Sequence, residues 1–320
     1  MPNANSIPFL TVNKAHGLTA TLGRFNGLQL DMGLLRNIDI QRGGKTAIFQ
    51  GGTFDGQVID YLWDKGYVTT TGSCACVGML GPGLGGDGSA ITVSENSHSD
   101  LLWAMKGAGH NFGIVTSFEL KIYPRLVDTW YYRNYVWKQD KLETLFGELN
   151  KLHSNTSHIR ELAVNYGTYG VNASISSTEY FEAFDRIPAE SVEDGNVPYS
   201  GIPDATGTGL DQPLCAKGYE HVHSTNYLNV WNITTLREVY DLFQSKITEQ
   251  PLLRDSIVML EDYSTVGVRA VDSRTSAFPW RDRALLTVTA INFPPNSSLD
   301  AYATEWANQN KDLINKRIWP

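Results

Sequence analysis

One segment of this chain is far richer in glycine than any other, and it restricts what can form around it. Seven of the 17 positions from Gly72 to Gly88 are glycine. Glycine has no Cβ, so backbone N–H groups in such a segment can approach a ligand closely. The sequence therefore predicts a loop that cradles a ligand, rather than a regular helix or strand.

The glycine spacing alone does not identify the ligand. Gly81, Gly83 and Gly86 satisfy the pattern G-x-G-x-x-G, but a Rossmann site requires that triplet to open a helix. Here a predicted strand follows, and Pro82 removes one N–H donor. The chain also lacks the G-x-S-x-G elbow of α/β-hydrolases. Both of these enzyme classes are therefore disfavoured.

Length and charge restrict the class of protein further. A chain of 320 residues with 42% hydrophobic residues can form two domains with buried cores. The net charge is −8 without a Lys/Arg cluster, so we expect neither nucleic acid nor a membrane surface as a partner. No apolar run is long enough to span a bilayer, and the polar N-terminus lacks a signal-peptide core. We therefore expect either an intracellular protein or a chain whose natural start is missing.

Hydrophobic periodicity predicts short strands and two helices in the first part of the chain, up to Pro124. The predicted strands are Ile7–Val12, Leu28–Met32, Lys45–Phe49, Ala90–Ser94 and Ile114–Ile122, and the predicted helices are Asp55–Lys65, ending at Gly66, and Asp100–Lys106, capped by Ser99. We place a domain boundary after residue 125.

The second part predicts an α+β domain in which an antiparallel sheet is covered by helices. The predicted helices are Leu142–Leu152, Tyr180–Ile187 with a Ser176/Glu179 capping box and Leu236–Ile247 with a Thr235/Glu238 capping box, and the predicted strands are Glu161–Tyr169, Asn226–Asn232, Ile257–Tyr263 and Leu285–Phe293. A long loop is expected from Pro188 to Pro213.

Cysteines and histidines leave several kinds of site open. Three cysteines argue against a disulfide framework, and Cys74 and Cys76 have no second pair at zinc-site spacing. His221 and His223 could bind a metal ion from one strand face, but we expect them to be solvent-exposed polar residues and predict no metal site. A cysteine within a glycine cradle is either a covalent ligand attachment point or a small buried thiol.

Four segments along the chain carry distinctive motifs: PFLTVNKAHG from Pro8, GSCACVGMLGPGLGG from Gly72, DLLWAMKGAGHNFGIVTS from Asp100 and AFPWRD from Ala277. The motifs and their order resemble those of one family, the berberine-bridge-enzyme-like oxidases of the vanillyl-alcohol-oxidase (p-cresol methylhydroxylase) flavoprotein superfamily. The resemblance implies an α+β chain with a two-part FAD-binding domain over residues 1–125 and a substrate domain over residues 126–320.

The resemblance also implies how FAD is held. His16 occupies the place of the histidine that bonds to the flavin 8α carbon, and Cys74 that of the cysteine that bonds to flavin C6. The implied cofactor-binding residues are His16, Gly17, Cys74, Val77, Gly78, Gly81, Gly113 and Ile114. A cradle of N–H groups at Val77, Gly78 and Gly81 could hold pyrophosphate oxygens.

The activity that the resemblance implies is oxidation of a small alcohol, a sugar or a secondary metabolite, with hydride transfer to FAD and molecular oxygen as the acceptor. Glu261, Asp262 and Tyr263 lie on a predicted strand of the substrate domain, where they could face the flavin. The sequence assigns none of them as the catalytic base. Members of the family are often secreted, although this chain begins without a signal peptide.

Three departures from the family pattern support an alternative, a non-catalytic member with weak or no FAD binding. Lys14 and Ala15 replace the usual Gly-Gly pair, and their Cβ atoms are expected to hinder a left-handed backbone or close approach to phosphates. The chain passes directly from Gly86 to Asp87-Gly88-Ser89, without the family's intervening segment. The family's terminal segment and opening strand are also not found.

Overall fold

The computed structural model describes residues 7–16, 25–79, 91–108, 112–154, 162–165, 167–171, 177–262, 265–283 and 285–316. The first region contains strands β1 (Phe9–Val12), β2 (Leu28–Asp31), β3 (Ile38–Ile40), β4 (Thr46–Gln50), β5 (Tyr67–Val68), β6 (Ser117–Lys121) and β7 (Tyr123–Pro124), and helices α1 (Asp55–Asp64) and α2 (Ser99–Ala108). The parallel pair β1–β2, the antiparallel sheet β3-β4-β6 and the antiparallel pair β5–β7 are separate.

Helix α1 forms where the apolar spacing predicted it. Val58 and Leu62 are buried on one face and pack with Phe49 of β4 in the core of this region. The helix ends before Gly66, which has a φ of +79° and donates its N–H to the carbonyl of Trp63. Such a left-handed stop favours glycine.

The predicted strand from Ala90 to Ser94 is wrong over its described residues. Residues 91–93 are irregular, and Ser94 pairs only with Ser97 across a tight turn. Ile91 and Val93 have high strand propensity, but propensity forms a strand only where a neighbouring strand accepts its hydrogen bonds. Here the chain turns back on itself instead.

The second region contains strands β8 (Trp130–Val136), β9 (Leu162–Asn165), β10 (Gly167–Val171), β11 (Ser191–Val197), β12 (Glu220–Leu228), β13 (Ile257–Asp262) and β14 (Leu285–Phe293), and helices α3 (Leu142–Ser154), α4 (Ser177–Asp185), α5 (Ile202–Ala205), α6 (Ile233–Glu249), α7 (Val266–Arg269) and α8 (Asp300–Asn315). The strands form one antiparallel sheet in the order β11-β8-β10-β9-β13-β14-β12. Helices α3, α6 and α8 pack on one face, as shown by the clusters around Phe146 and Trp306. The predicted α+β fold with a helix-covered antiparallel sheet is confirmed, whereas the boundary after residue 125 stays a prediction.

Three predicted segments of the second region differ from the structure. The strand predicted over Asn226–Asn232 begins earlier, at Glu220, and ends at Leu228. The single strand Glu161–Tyr169 is a hairpin, because β9 and β10 pair with each other on either side of residue 166. The loop from Pro188 to Pro213 contains β11 and α5. Most side chains of β11 are exposed at the sheet edge, so the strand lacks the alternation that identifies half-buried strands.

The predicted Thr235/Glu238 capping box is also wrong. The N-cap of α6 is Asn232, whose side chain accepts the N–H of Thr235 at 3.0 Å. Thr235 itself is buried in the first turn of the helix. Asparagine is among the strongest N-cap residues, and it comes first along the chain. Ser176 of the other proposed box lies outside the described residues.

Gly107 joins the two regions at a position that excludes a side chain. Its φ is +144°, and a Cβ there would collide with the backbone of Phe278. We expect Gly107→Ala to lower the free energy of unfolding by about 3 kcal/mol, because it combines a strained backbone with a steric clash. Urea unfolding measures the loss. Gly147→Ala, at an open position within α3, should change stability by less than about 1 kcal/mol, and equal losses in both variants would contradict the expectation.

Candidate functional site

The glycine-rich segment is held on both sides by backbone hydrogen bonds. Towards α1, Asp55 and Gly56 donate their N–H groups to the carbonyls of Val77 and Ala75, each at 2.9 Å. Towards the second region, Ala75 donates to the carbonyl of Thr208 at 2.9 Å. The described part of the cradle therefore lies between the two regions.

The fold brings His16 and Cys74 together from separate parts of the chain. One ring nitrogen of His16 and the sulfurs of Cys74 and Cys76 all lie within 4.8 Å of one another. Nδ1 of His16 is 3.5 Å from Sγ of Cys76, and the sulfurs of Cys74 and Cys76 are also 3.5 Å apart. An imidazole and a free thiol at this spacing can reach neighbouring atoms of one flat ligand.

Cysteine pairing differs from the sequence expectation. Cys76 forms a disulfide with Cys215, 139 residues further along the chain, and Cys74 is free. Three cysteines argued against a framework of several bridges, but one bridge forms across the two regions. Sequence spacing carries no signal for so distant a pair.

The environment of the site favours the neutral form of His16 and the protonated form of Cys74. Burial lowers the pKa of His16, and the charges of Lys217 and His221 lower it further. Burial raises the pKa of Cys74; the Cys76 backbone N–H opposes this, and the carboxyl groups of Asp55 and Glu261 add to it. The neutral imidazole has a free lone pair, the form required of a nucleophile.

Positive side chains gather beside the loop that carries His16. Nζ of Lys14 lies 4.1 Å from the ring centroid of Phe54, and the Arg36 guanidinium lies 5.6 Å from the same centroid. Nζ of Lys217 donates to the carbonyl of Lys14 at 2.6 Å. Burial lowers the pKa of Lys14, with Arg36 and Lys217 adding to the effect. Three cations around one loop suit an anionic group such as a phosphate.

Ala15 adopts the backbone conformation that its Cβ was expected to exclude. Its φ is +54°, in the left-handed region. This conformation costs an alanine roughly 1–2 kcal/mol relative to the usual helical region. The Cβ of Ala15 therefore does not exclude a left-handed backbone, and the expected obstruction is wrong on this point.

His221 and His223 face the site rather than bulk solvent, which corrects the sequence expectation. They alternate with Val222, which packs in the core beneath the helices, so both rings lie on the opposite face of β12. Nδ1 of His221 lies 2.8 Å from Oδ1 of Asn292. Nε2 of His223 is buried and has no hydrogen-bond partner among the described residues. Burial, followed by the charges of His221 and His16, lowers the pKa of His223 to about 4.

Strand alternation separates Glu261 from Asp262, the two candidates that lie on β13. Leu260 packs in the core under the helices, so Asp262 lies on that face and Glu261 on the opposite one. The charge of Glu261 acts on both Cys74 and Tyr227, consistent with the site-facing position. Tyr263 lies outside the described residues.

Besides His16 and Cys74, four of the residues predicted to contact FAD lie in the described part of the chain. The Val77 N–H donates to the carbonyl of Cys74 at 3.1 Å, within its own turn. Gly78 lies against the side-chain amide of Asn13, where a Cβ would collide. Gly113 and Ile114 lie just before β6. Gly17 and Gly81 lie outside the described residues, and the assignment of all eight residues to FAD stays a prediction.

Asp55 is a buried acid that sequence reasoning missed, because an aspartate in the first turn of a helix is ordinary. Burial raises its pKa from 3.8 to about 7, against the Gly72 N–H, which lowers it. The folded state therefore keeps a proton that the unfolded chain loses. Its stabilising contribution is present below about pH 4 and is lost as the pH rises to about 7.

Because the stabilising contribution of Asp55 is lost as the pH rises, stability should depend on pH differently in Asp55→Asn and in the wild type. Wild-type melting temperature should fall between about pH 5 and pH 8, and the variant should lose about 3 °C less over that range. Differential scanning fluorimetry at constant ionic strength measures both. Asp100→Asn is the matched control, since Asp100 lies in the first turn of α2 but is exposed. Parallel profiles for Asp55→Asn and wild type would contradict the assignment.

The relatives of this chain are flavoenzymes. The family model for an FAD binding domain matches residues 1–113. The FAD-linked oxidoreductase anuG of Penicillium roqueforti is 45% identical over 356 aligned positions, covering 98% of this chain and 70% of that protein. The FAD-linked oxidoreductase OXR2 of Pyricularia oryzae is 42% identical over 365 positions, covering 100% and 70%.

Solved structures share the fold at low sequence identity. The BBE-like 1 protein of Physcomitrella patens superposes with a TM-score of 0.78 at 13% identity, covering 99% of this chain and 78% of that one. A chitooligosaccharide oxidase gives a TM-score of 0.77 at 14% identity, covering 99% and 76%. In the described part of the chain, no helix combines the length and the apolar character needed to cross a membrane.

Proposed function

This chain belongs to the berberine-bridge-enzyme-like FAD-linked oxidoreductases, and from that premise we propose that it binds FAD covalently through His16 and Cys74. We further propose that it oxidises a small alcohol, a sugar or a secondary metabolite, with molecular oxygen as electron acceptor. The observation that carries the proposal is the convergence of a neutral imidazole and the chain's one free thiol within 4.8 Å.

The residues present fit the pyrophosphate and the ring system of a flavin dinucleotide. Lys14, Arg36 and Lys217 provide positive charge beside the first loop, where the anionic pyrophosphate is expected. Gly78 keeps the cradle free of a side chain next to Asn13. His16 and Cys74 offer a nitrogen and a sulfur for the ring edge. Bound FAD would supply the hydride acceptor, and the remaining steps depend on side chains of the chain itself.

The sheet face opposite the helices supplies groups for the substrate. His223 presents a buried Nε2 without a partner among the described residues, and its low pKa keeps the ring neutral at working pH. We assign it as the acceptor of a hydrogen bond that orients a substrate hydroxyl. Glu261 of β13 lies on the same face of the sheet, and we assign it to bind a second polar group of the substrate.

Names of several solved relatives support the substrate class. Chitooligosaccharide oxidase and xylooligosaccharide oxidase are named for sugars, and GilR is described as catalysing the terminal step of gilvocarcin biosynthesis. All three share the overall fold of this chain. The proposal therefore covers carbohydrate and secondary-metabolite alcohols.

The test starts with the purified full-length chain. We expect visible flavin absorbance that stays with the protein after acid precipitation, and hydrogen peroxide formation with at least one member of a panel of sugars and alcohols. Added FAD should raise the melting temperature of any flavin-free fraction. A colourless protein with no thermal response to FAD would reject the proposal, and FAD binding without any turnover would favour the non-catalytic alternative.

A further inference from the structure

A second-region segment lies directly on the cradle. Residues 199–217, between β11 and β12, are named here the cover segment. Thr208 accepts the Ala75 N–H through its carbonyl and donates its hydroxyl to the carbonyl of Ser73 at 2.7 Å. Lys217 reaches the carbonyl of Lys14. Hydrogen bonds thus hold the cover segment to both loops that carry the proposed flavin-bonding residues.

The disulfide adds a covalent link at the same place. Cys215 belongs to the cover segment and Cys76 to the cradle. Sγ of Cys74 lies 3.5 Å from the sulfur of Cys76 and 3.7 Å from that of Cys215. The chain contains three cysteines, so pairing two of them leaves Cys74 as its single thiol.

We propose that the Cys76–Cys215 disulfide is a reducible clamp that fixes the cover segment on the cradle and withholds Cys76 from reaction, so that Cys74 is the one thiol presented to the flavin. The clamp itself involves only the sulfurs of Cys74, Cys76 and Cys215. Its consequence for the flavin rests on the function proposed above.

The position of Cys74 prevents its thiol from attacking the disulfide beside it. In thiol–disulfide exchange, a thiolate attacks along the extension of the S–S bond and displaces the far sulfur as a thiolate. Cys74 is almost equally distant from both sulfurs, so it lies beside the bond rather than on its axis. Burial and the carboxyl groups of Asp55 and Glu261 also keep its proton in place. Three close sulfurs can therefore coexist as one disulfide and one thiol.

If the Cys76–Cys215 disulfide were reduced, Cys74 would no longer be the single thiol at the site. A dithiol reductant transfers two electrons and two protons to the bridge, giving the Cys76 and Cys215 thiols and an oxidised reductant. Cys76 is then free two residues from Cys74, within 3.5 Å. Oxidised glutathione can next join Cys74 to Cys76, becoming two molecules of glutathione and consuming the thiol that the flavin requires.

Peptide mapping of the full-length protein tests the clamp. Alkylation without reduction, followed by digestion and mass spectrometry, should yield the linked Cys76–Cys215 peptides and a Cys74 peptide bearing flavin or the alkyl group. In the flavin-free fraction of Cys215→Ser treated with oxidised glutathione, we expect a Cys74–Cys76 bridge and about tenfold less alkyl group on Cys74. The control Cys74→Ser should keep the Cys76–Cys215 link.

Limited trypsin digestion provides a second readout. Cleavage at Lys217 should become about tenfold faster when a dithiol is added to the wild type, but not in Cys76→Ser/Cys215→Ser, where it is fast from the start. Alkylation of both Cys76 and Cys215 in the unreduced wild type, or an unchanged cleavage rate on reduction, would overturn the clamp. A linked Cys76–Cys215 peptide beside a flavin-free Cys74 would support the clamp while removing the thiol bond to flavin, so the two failures are distinct.

Discussion

Joint replacement of His16 and Cys74 by alanine is expected to abolish the flavin that remains with the protein after acid precipitation. Each residue offers one covalent bond, and their reactive atoms lie within 4.8 Å. His16→Ala and Cys74→Ala should therefore each retain flavin through the other residue. The double variant should hold FAD only through non-covalent contacts, which denaturation releases.

The measurement is flavin fluorescence of the denatured protein in a gel, with absorbance of the supernatant as its complement. Peroxide formation should fall about tenfold or more in each single variant, because a ring held at one point is less well oriented. His98→Asn is the control, since His98 is an exposed histidine outside the site. If the double variant still carries acid-stable flavin, another residue provides the bond.

Sequence reasoning located parts of the fold whose signals are local. The α1 boundaries followed from apolar residues at helical spacing and a glycine stop, and β14 was predicted over Leu285–Phe293 as observed. The meeting of His16 and Cys74 followed from motif resemblance, because 58 residues separate them and no local rule links them. Edge strand β11 was missed because exposed side chains on both faces remove the usual alternation.

The rest of the site depends on long-range packing. Cys215 lies 139 residues from Cys76, and only the folded sheet brings the cover segment onto the cradle. His221 and His223 were expected at the solvent face because one strand in isolation does not reveal which face meets another region. Asp55 looked like an ordinary helix-start acid, and its raised pKa arises from burial that the folded neighbours create.

Replacement of His223 by an apolar residue is expected to raise the stability of the protein and to lower its turnover. A buried polar atom without a partner costs about 1–3 kcal/mol, and such an atom is retained where a ligand completes its hydrogen bond. Its Nε2 meets this description among the described residues. We therefore expect His223→Leu to raise the free energy of unfolding by about 1 kcal/mol and to lower kcat/KM by about 10²-fold or more.

The pH dependence gives an independent check on the same residue. Because the folded pKa of His223 is about 4 and the ordinary value is 6.5, the unfolded chain binds the extra proton first. Wild-type stability should therefore fall as the pH drops from about 6.5 to about 4, and His223→Leu should remove part of that fall. His221→Gln is the matched control on the same strand face, where the ring already has Asn292 as a partner.

Measurements of unfolding and of turnover together show whether His223 only packs in the fold or also acts on the substrate. If His223 merely packs, His223→Leu should leave kcat/KM within about twofold of the wild type, or should lower stability and turnover together through a local distortion. If it orients the substrate hydroxyl for reaction, the loss should appear in kcat at saturating substrate as well as in kcat/KM, because the missing interaction belongs to the transition state. A more stable variant with nearly unchanged turnover would remove His223 from the mechanism and leave Glu261 as the remaining described candidate on this face of the sheet.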